Sequence, residues 1–504
     1  MANQLLPTRR AVLQGLGLAA SAGVLGAIDA GDGTYLNPIL GGDHPDAGAI
    51  RVGNDYYLTH SSFDYAPGLP IWHSRDLVTW ELAAYGLKGY HGNVWAPYLC
   101  EHKGEYYIYY PSSGGLAVIH SPSPTGPWSE PVPLNIQGID PAHIADAGGR
   151  RFLHFSGGRM AELSPDGLSA ISQVRKVFDA WKIPADWRVE CVCLEAPKVS
   201  YKDGYYYLMV AQGGTAGPAT AHMAIAARSR NADGPWEYSP FNPIVHTRSR
   251  SERWRAQGHA RLVEAADKSW WITYHAYEKD HLTLGRQTLL LPIEWTKDGW
   301  FRVPEGVSPE KPIRMPKGER VPVRGLSDDF KTNTLALQWQ FWHDFSHVKY
   351  TTGDGTLAIE GGGTEFASAP ILSCAVPDHH YEVEVDLELE GQAEGGLVLF
   401  YDPSHASGLY VDSDGIGLRR VFANSPKQSQ HRAARRATLK LVNDNEEVEA
   451  WYRLPEKEWV RVDRAWDVSG INHNTLSQFL SVRPALYACG NGRAIYRGFR
   501  YRAI

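Results

Sequence analysis

Three carboxylic acids hold corresponding positions in a pattern that recurs five times along the 504-residue chain. Asp46, Asp140 and Glu195 each lie ten to twelve residues before a run that opens with an aromatic residue, and Trp95 and His259 hold the same place in the other two repeats. One protonated and one ionised carboxyl group can protonate a leaving oxygen and activate water, which is what hydrolysis of an acetal requires. A third carboxylate nearby keeps the pKa of the acid high by repulsion.

The aromatic runs that follow these positions are typical of short β-strands. They begin at intervals of roughly 50 residues, which favours a β-propeller with one four-stranded blade per repeat. The runs open at Tyr56, Tyr106, Phe152, Tyr205 and Trp270. The sequence therefore predicts an all-β protein with a five-bladed propeller, in which equivalent positions of the innermost strands face one another around a central channel. A solenoid is the alternative arrangement.

Acids at such positions have two other common uses. A single acid at a strand end usually caps the backbone or faces solvent, and several acids in a channel can bind a metal ion. Three acids at matching positions argue against the first use, because crowded like charges cost free energy unless function or a cation holds them together. The acids also lack the closely spaced Asp-x-Asp pattern of a calcium loop.

Composition and charge narrow the classes of partner. The formal net charge is −6, which argues against nucleic acid and against an anionic membrane surface. The five cysteines are odd in number and none has metal-ligand spacing, so the sequence predicts no disulfide framework. Cys191 and Cys193 alternate along one predicted strand and are expected to be buried thiols. Nothing in the sequence indicates an oligomeric state.

The first 33 residues look like a targeting segment. Arg9 and Arg10 precede a short apolar run over residues 16–27, a pattern typical of twin-arginine export signals. The run is too short to span a bilayer, which needs about 20 apolar residues. We therefore expect a signal over residues 1–33 and a periplasmic or secreted protein. The alternative is a disordered cytoplasmic N-terminus.

A stretch rich in Pro, Lys, Arg and Gly over residues 304–324 is typical of a linker and divides the rest of the chain. We expect the propeller over residues 34–322 and a second domain over residues 323–504. Alternating apolar and polar residues at 381–387 and 438–442 indicate half-buried antiparallel strands. The second domain is therefore predicted to be a β-sandwich.

Ordered motifs along residues 34–310 resemble those of glycoside hydrolase family 43. They include His44-Pro45-Asp46, Trp95-Ala96-Pro97, Glu195-Ala196-Pro197, Gly258-His259-Ala260 and Gly285-Arg286-Gln287. Members of that family are five-bladed and act with inversion. Its β-xylosidase-like members carry a concanavalin-like sandwich that packs on the propeller and lends a loop to the pocket rim. For that domain, an independent carbohydrate-binding module is the alternative.

The resemblance implies a catalytic role for each of the three acids. Asp46 would be the general base that activates water, and Glu195 would be the general acid. Asp140 would raise the pKa of Glu195 and hold it in place. Inversion requires the carboxyl groups of Asp46 and Glu195 to lie about 6.5–9.5 Å apart, which leaves room for water.

The resemblance also implies four binding roles. Trp95 and Phe63 would wall the sugar subsite, and Arg286 would contact sugar hydroxyls. His259 would order a structural calcium ion in the channel through water. Three of these residues have plainer alternatives: Phe63 as a core aromatic, Arg286 in a surface or inter-blade salt bridge and His259 as a satisfied core histidine.

The implied activity is that of an inverting hydrolase that removes terminal β-D-xylose or α-L-arabinofuranose from hemicellulose-derived oligosaccharides, with β-xylosidase favoured. Three departures from the family pattern, Ala47 for Pro, Ala196 for Gly and Gln287 for Glu, alter the neighbours that shape the pocket floor. The hypothesis from another class is a glycan-binding propeller without catalysis, which the presence of all three acids disfavours.

Overall fold

The structure, a computed structural model, describes residues 26–421, 428–431, 434–476 and 478–504. Its regular structure is almost entirely β, as predicted. The described chain starts with two antiparallel strands, β1 (Gly26–Gly31) and β2 (Thr34–Leu40). β1 falls within the interval predicted to be an export signal, whereas residues 1–25 lie outside the described residues. The signal stays a prediction.

Five antiparallel blades follow, which confirms the predicted propeller. The first blade and its connections hold β3 (Gly48–Val52), β4 (Asp55–Thr59), β5 (Tyr65–Ala66), β6 (Gly68–Ser74) and β7 (Glu81–Leu87). The second holds β8 (Tyr98–His102), β9 (Glu105–Ser112), β10 (Gly115–Ser121) and β11 (Val132–Pro133). The third holds β12 (Ala142–Ala145), β13 (Arg151–Phe155), β14 (Arg159–Leu163) and β15 (Arg175–Lys176).

The last two blades carry extra short strands. The fourth holds β16 (Glu195–Lys202), β17 (Tyr205–Gln212), β18 (Met223–Ser229), β19 (Glu237–Tyr238) and β20 (Val245–His246). The fifth holds β21 (Trp254–Glu264), β22 (Trp270–Glu278), a 3₁₀ turn (Leu282–Leu284), β23 (Arg286–Trp295), β24 (Phe301–Arg302) and β25 (Ile313–Arg314).

The innermost strands β3, β8, β12, β16 and β21 contact one another in a closed ring around the channel. A residue with positive φ stands at or next to each predicted channel position: Asp46 (63°), Ala96 (33°), Asp140 (57°), Ala196 (53°) and His259 (56°). Such a conformation is uncommon for a residue other than glycine. Its recurrence in every blade supports the equivalence of the five positions.

The N-terminal strand closes the ring. β2 joins the sheet of the fifth blade, where Leu40 pairs with Thr288 of β23. Asn37 extends this contact, because its amide donates to the Leu290 carbonyl (3.0 Å) and its carbonyl accepts from the Leu290 amide (2.9 Å). Asp46, which follows β2 in the chain, is thereby held beside the fifth blade.

The second domain is a β-sandwich, as predicted. Its elements are β26 (Gln340–Trp342), β27 (Tyr350–Gly353), β28 (Thr356–Glu360), a 3₁₀ turn (Phe366–Ser368), β29 (Ile371–Ser373), β30 (His380–Asp402), β31 (His405–Asp412), β32 (Gly415–Arg420), β33 (Gln428–His431), β34 (Arg436–Asp444), β35 (Glu447–Arg453), β36 (Val460–Asp467), helix α1 (His473–Leu476) and β37 (Arg483–Ala503).

Two long antiparallel strands, β30 and β37, run through this domain and pair over most of their length. Burial alternates along the first part of β30, with Tyr381, Val383, Val385 and Leu387 inside. The predicted run at 438–442 lies in β34, which pairs with this part of β30. Both strand predictions are confirmed. Within the described residues, no helix combines the length and apolar character needed to cross a membrane.

The two domains share a strand pairing and buried charges. β5 of the first blade pairs with β26 of the sandwich. Glu278 of β22 lies 2.9 Å from His379 Nε2 of the sandwich. Gln287 donates to Glu278 (2.9 Å) and accepts from the Gly42 amide (3.3 Å). A glutamate at position 287 would instead face the buried charge of Glu278, which accounts for the glutamine found here.

Candidate active site

Asp46 lies at the centre of a buried cluster of polar side chains. Arg286 at the start of β23 donates to both of its carboxylate oxygens, at 2.9 and 3.3 Å. The Nδ1 atoms of His259 and His275 lie 3.2 and 3.1 Å from Oδ1. Ser61 donates to Oδ2 at 2.5 Å. Every polar side chain in this cluster is almost fully buried.

The cluster keeps Asp46 ionised. Burial is the largest single effect and raises the pKa of Asp46, but the charge of Arg286 and the contacts of His259 and His275 together outweigh it and hold this pKa well below its usual range. Burial lowers the pKa of His259 well below its ordinary value and lowers that of His275 to about 4. Both imidazoles are therefore neutral at neutral pH, and Arg286 supplies the full positive charge.

Ser61 and His275 belong to this site but were given no role from the sequence. The backbone amide of Ala96 donates to Ser61 Oγ at 2.6 Å, so Ser61 links the second blade to Asp46. His275 Nδ1 also lies 3.1 Å from the backbone nitrogen of Asp46. The signal for His275 was weak, because one histidine in an otherwise apolar strand is usually a core residue.

Asp140 and Glu195 form a pair of interacting carboxyl groups near Asp46. The backbone amide of Ala196 donates to Asp140 Oδ2 at 2.9 Å, so the third blade is tied to the residue next to Glu195. Burial raises the pKa of Glu195 well above its usual range, and the charges of Asp140 and Asp46 raise it further. Burial and the charge of Asp46 also raise the pKa of Asp140, against the opposing effects of Lys198 and the Ala196 amide.

These contacts assign the proton of the pair. Burial disfavours the charged form of Asp140, but the Ala196 backbone hydrogen bond and the charge of Lys198 favour it. Glu195, at the start of β16, lies beside the negative charges of Asp140 and Asp46, which together with burial disfavour its ionised form. We therefore place the proton on Glu195, beside an ionised Asp140. The site thus holds one proton donor and one ionised acceptor, Asp46, as general acid–base chemistry requires.

An aromatic wall from both domains faces Arg286. Phe63 of the first blade stacks on Phe479 of the sandwich, with ring centroids 6.3 Å apart and planes at 11°. The Arg286 guanidinium lies 4.7 Å from the Phe479 ring and 5.9 Å from the Phe63 ring. His473 of α1 stacks in turn on Phe479, with ring centroids 3.8 Å apart. The sandwich therefore contributes directly to the pocket.

Six of the seven predicted residues meet at this site, and Trp95 stands at its edge. Trp95 is 37% exposed and its indole nitrogen contacts Asn93. The neighbouring Val94 pairs with Phe63, which places Trp95 beside the aromatic wall. Phe479 was not identified from the sequence, since a single phenylalanine in a sandwich loop carries no local signal.

The donor set does not suit calcium. Asp46, His259 and His275 offer ligand atoms within 4.8 Å of one another, the single such group found among the described residues. Calcium takes six to eight oxygen ligands, whereas this set has two nitrogens and one carboxylate already paired with Arg286. His259 Nε2 is buried and has no hydrogen-bond partner in the part of the chain that the structure describes, so a water molecule could bind there. The predicted water-mediated calcium rests on that one atom and stays untested.

The prediction for Cys191 and Cys193 was wrong. The two residues form a disulfide and are partly exposed, whereas Cys100, Cys374 and Cys489 are buried thiols that form no disulfide within the described residues. Residues two apart in a strand would have Cα atoms about 6.6 Å apart. Here β16 does not begin until Glu195, and the chain turns at Cys193 (φ 37°), so the two Cα atoms approach to 5.3 Å.

Comparison with known proteins agrees with this geometry. Residues 35–301 match the model for glycosyl hydrolases family 43, and residues 327–502 match that of the beta xylosidase C-terminal concanavalin A-like domain. The chain is 32% identical to a non-reducing end alpha-L-arabinofuranosidase of Bacteroides ovatus, over 66% of each chain, which is just under two thirds of that relative's length. It is 26% identical to a beta-xylosidase of Bacillus subtilis, over 85% of this chain and 91% of the relative.

Solved structures give the same result for the whole fold. The GH43 BlXynB protein of Bacillus licheniformis matches with a TM-score of 0.83 and 26% identity, over 94% of this chain and 100% of that chain. The match therefore includes both the propeller and the sandwich. With the family model covering more than half of its length, and with the blades and the buried acids in place, this chain belongs to glycosyl hydrolases family 43.

Proposed function

We propose that this chain is an inverting glycoside hydrolase that removes terminal pentose residues, β-D-xylose ahead of α-L-arabinofuranose, from hemicellulose-derived oligosaccharides. The observation that carries the proposal is the contrast between two buried carboxyl groups. Arg286 holds the pKa of Asp46 well below its usual range, while burial and two neighbouring carboxylates hold that of Glu195 well above it. Opposite shifts of this kind separate a base from an acid.

In this mechanism Asp46 accepts a proton from a water molecule, which attacks the anomeric carbon on one face of the sugar. Glu195 donates its proton to the leaving glycosidic oxygen on the other face. Asp140 stays ionised, keeps the proton on Glu195 and fixes the backbone at Ala196. Arg286 and the aromatic wall of Phe63 and Phe479 hold the sugar ring between these groups.

The substrate class rests on the relatives and on the pocket. Two relatives from different genera are named for the release of arabinofuranose and of xylose. The sandwich loop that carries Phe479 covers one side of the site, which suits a chain end better than the middle of a polymer. A glycan-binding propeller without catalysis is disfavoured, because burying three carboxyl groups is costly and binding alone does not need them.

The proposal includes a periplasmic or secreted location. The paired arginines Arg9 and Arg10 and the apolar run over residues 16–27 support export, although they lie largely outside the described residues. The disulfide between Cys191 and Cys193 is a second support, since disulfides persist in oxidising compartments.

The first prediction concerns the acid and the base. We expect Asp46→Ala and Glu195→Ala each to reduce kcat/KM on 4-nitrophenyl β-D-xyloside or the α-L-arabinofuranoside by about 10²-fold or more. With a good leaving group the Glu195 variant should lose less, because departure then needs less help from a proton. Asp146→Ala, in the same blade as Asp140 but paired with Arg150 at the surface, is the control. Near-normal turnover by either site variant, or no hydrolysis of either substrate by the wild type, would sink the proposal.

The second prediction concerns Asp140. Because the charge of Asp140 raises the pKa of Glu195, Asp140→Asn should lower that pKa. Glu195 acts in its protonated form, so the alkaline limb of kcat/KM should move to lower pH. The acid limb, set by Asp46, should move little. An alkaline limb that stays where it is in the wild type contradicts the role given to Asp140.

The third prediction concerns the sandwich. Phe479→Ala removes half of the aromatic wall, so KM for a small aryl glycoside should rise roughly tenfold, equivalent to about 1.4 kcal/mol of lost contact. Tyr350→Ala, which truncates an exposed aromatic residue of the same domain, should leave KM unchanged. Unchanged kinetics on the aryl glycoside, with a loss on polymer alone, would instead indicate a targeting module.

A further inference from the structure

A buried lysine on an innermost strand has no hydrogen-bond partner among the described residues. Lys198 is on β16, three residues after Glu195, and is 1% exposed. Its Nζ atom donates no hydrogen bond within the described residues and sits 5.3 Å from the centre of the Tyr98 ring. An ammonium group is costly to bury unless nearby charges stabilise it. Negative charges nearby must therefore stabilise the Lys198 ammonium.

The carboxylates of the site supply them. Glu195 pairs with Ala211 of β17 and Lys198 pairs with Met209, with a register shift between the two pairs. Ala211 and Met209 are two residues apart, so the side chains of Glu195 and Lys198 point to the same face of the sheet. Asp140 attracts the ammonium most strongly and Asp46 attracts it as well. Burial lowers the pKa of Lys198 to about 8, which leaves the amine charged at neutral pH.

The positive charges around Lys198 disfavour binding of a metal ion. The Arg261 guanidinium also lies near Tyr98, 4.1 Å from the centre of its ring, and donates to the Leu99 carbonyl at 2.8 Å. Arg286 neutralises Asp46. A divalent ion near His259 would meet these three fixed positive charges and few oxygen ligands.

We propose that Lys198 is the resident cation of the channel: its ammonium group supplies the positive charge that would otherwise come from calcium, and it keeps Asp140 ionised beside a protonated Glu195. Lys198 is thus a positioning residue, which acts through Asp140 and does not touch the substrate. The kinetic part of this inference rests on the proposed hydrolase function, whereas the metal-binding part does not.

Removing the Lys198 charge should change the pH dependence of kcat in a defined direction. Without Lys198, an ionised Asp140 is less stable, so the last proton of the Asp140–Glu195 pair becomes harder to remove and spends part of its time on Asp140. The plateau of kcat should fall, and the alkaline limb should move to higher pH, opposite to the effect of Asp140→Asn. The other charged and titratable groups facing the pair, unchanged by the substitution, are Asp46, Glu190, Arg261, Arg286, His259 and His275.

The first experiment uses the wild-type chain. After dialysis against EDTA, we expect no stoichiometric metal by elemental analysis, no heat of binding on titration with CaCl₂, and a Tm that is the same with and without added calcium. If wild-type activity is measurable, kcat should also be unchanged. Retention of one calcium ion per chain, or a Tm lowered by EDTA and restored by calcium, overturns the inference. If the wild type has no hydrolase activity, the proposed function fails while these metal measurements still decide.

The second experiment compares Lys198→Met, Lys198→Arg and the control Lys202→Met, a lysine near the end of the same strand. Lys198→Met should lower kcat at least about tenfold, with a smaller change in KM and the upward shift of the alkaline limb. Lys198→Arg should restore most of both, and Lys202→Met should match the wild type. A Lys198→Met protein with lowered Tm and kcat but an unmoved alkaline limb shows a structural role only and overturns the inference. Should Lys198→Met fail to fold, the pH profile of Lys198→Arg and the metal measurements remain decisive.

Discussion

The paired hydrogen bonds between Arg286 and Asp46 are the interaction on which the rest of the site depends. They hold a buried carboxylate in its charged form against the cost of desolvation. That fixed negative charge then helps to keep the proton on Glu195. The two partners are 240 residues apart, and they meet because β2 completes the fifth blade and brings the start of the propeller to its end.

Much of the site was predictable because the fold repeats. Once five aromatic runs mark five blades, residues at the same place in each blade must face one channel. Asp46, Asp140 and Glu195 can therefore be identified by their position in the repeat. Residues without a repeat signal were missed. Ser61, His275 and Lys198 contribute only through partners that are distant in the sequence, and Phe479 reaches the pocket from another domain. The disulfide was missed because a turn at Cys193 replaces the strand that the alternation indicated.

The sandwich is part of the site rather than an accessory. It provides Phe479 to the wall, and its Arg483 lies 3.3 Å from the buried Asp43, near the first channel acid. Glu278 and His379 make a second buried contact between the domains. Gln287, which follows Arg286 in β23, donates to Glu278. The glutamine that departs from the family pattern therefore supports the contact between the two domains.

The ionisation of Glu195 is the most direct measure of this charge arrangement. Infrared difference spectra of the wild type, Glu195→Gln and Asp46→Asn, recorded at neutral pH, report a protonated carboxyl group through its carbonyl stretch. We expect that band in the wild type and its loss in Glu195→Gln. A wild-type spectrum without the band would show that Glu195 is not protonated. A band that survives in Glu195→Gln and disappears in Asp46→Asn would show that Asp46 carries the proton and that the two roles are reversed.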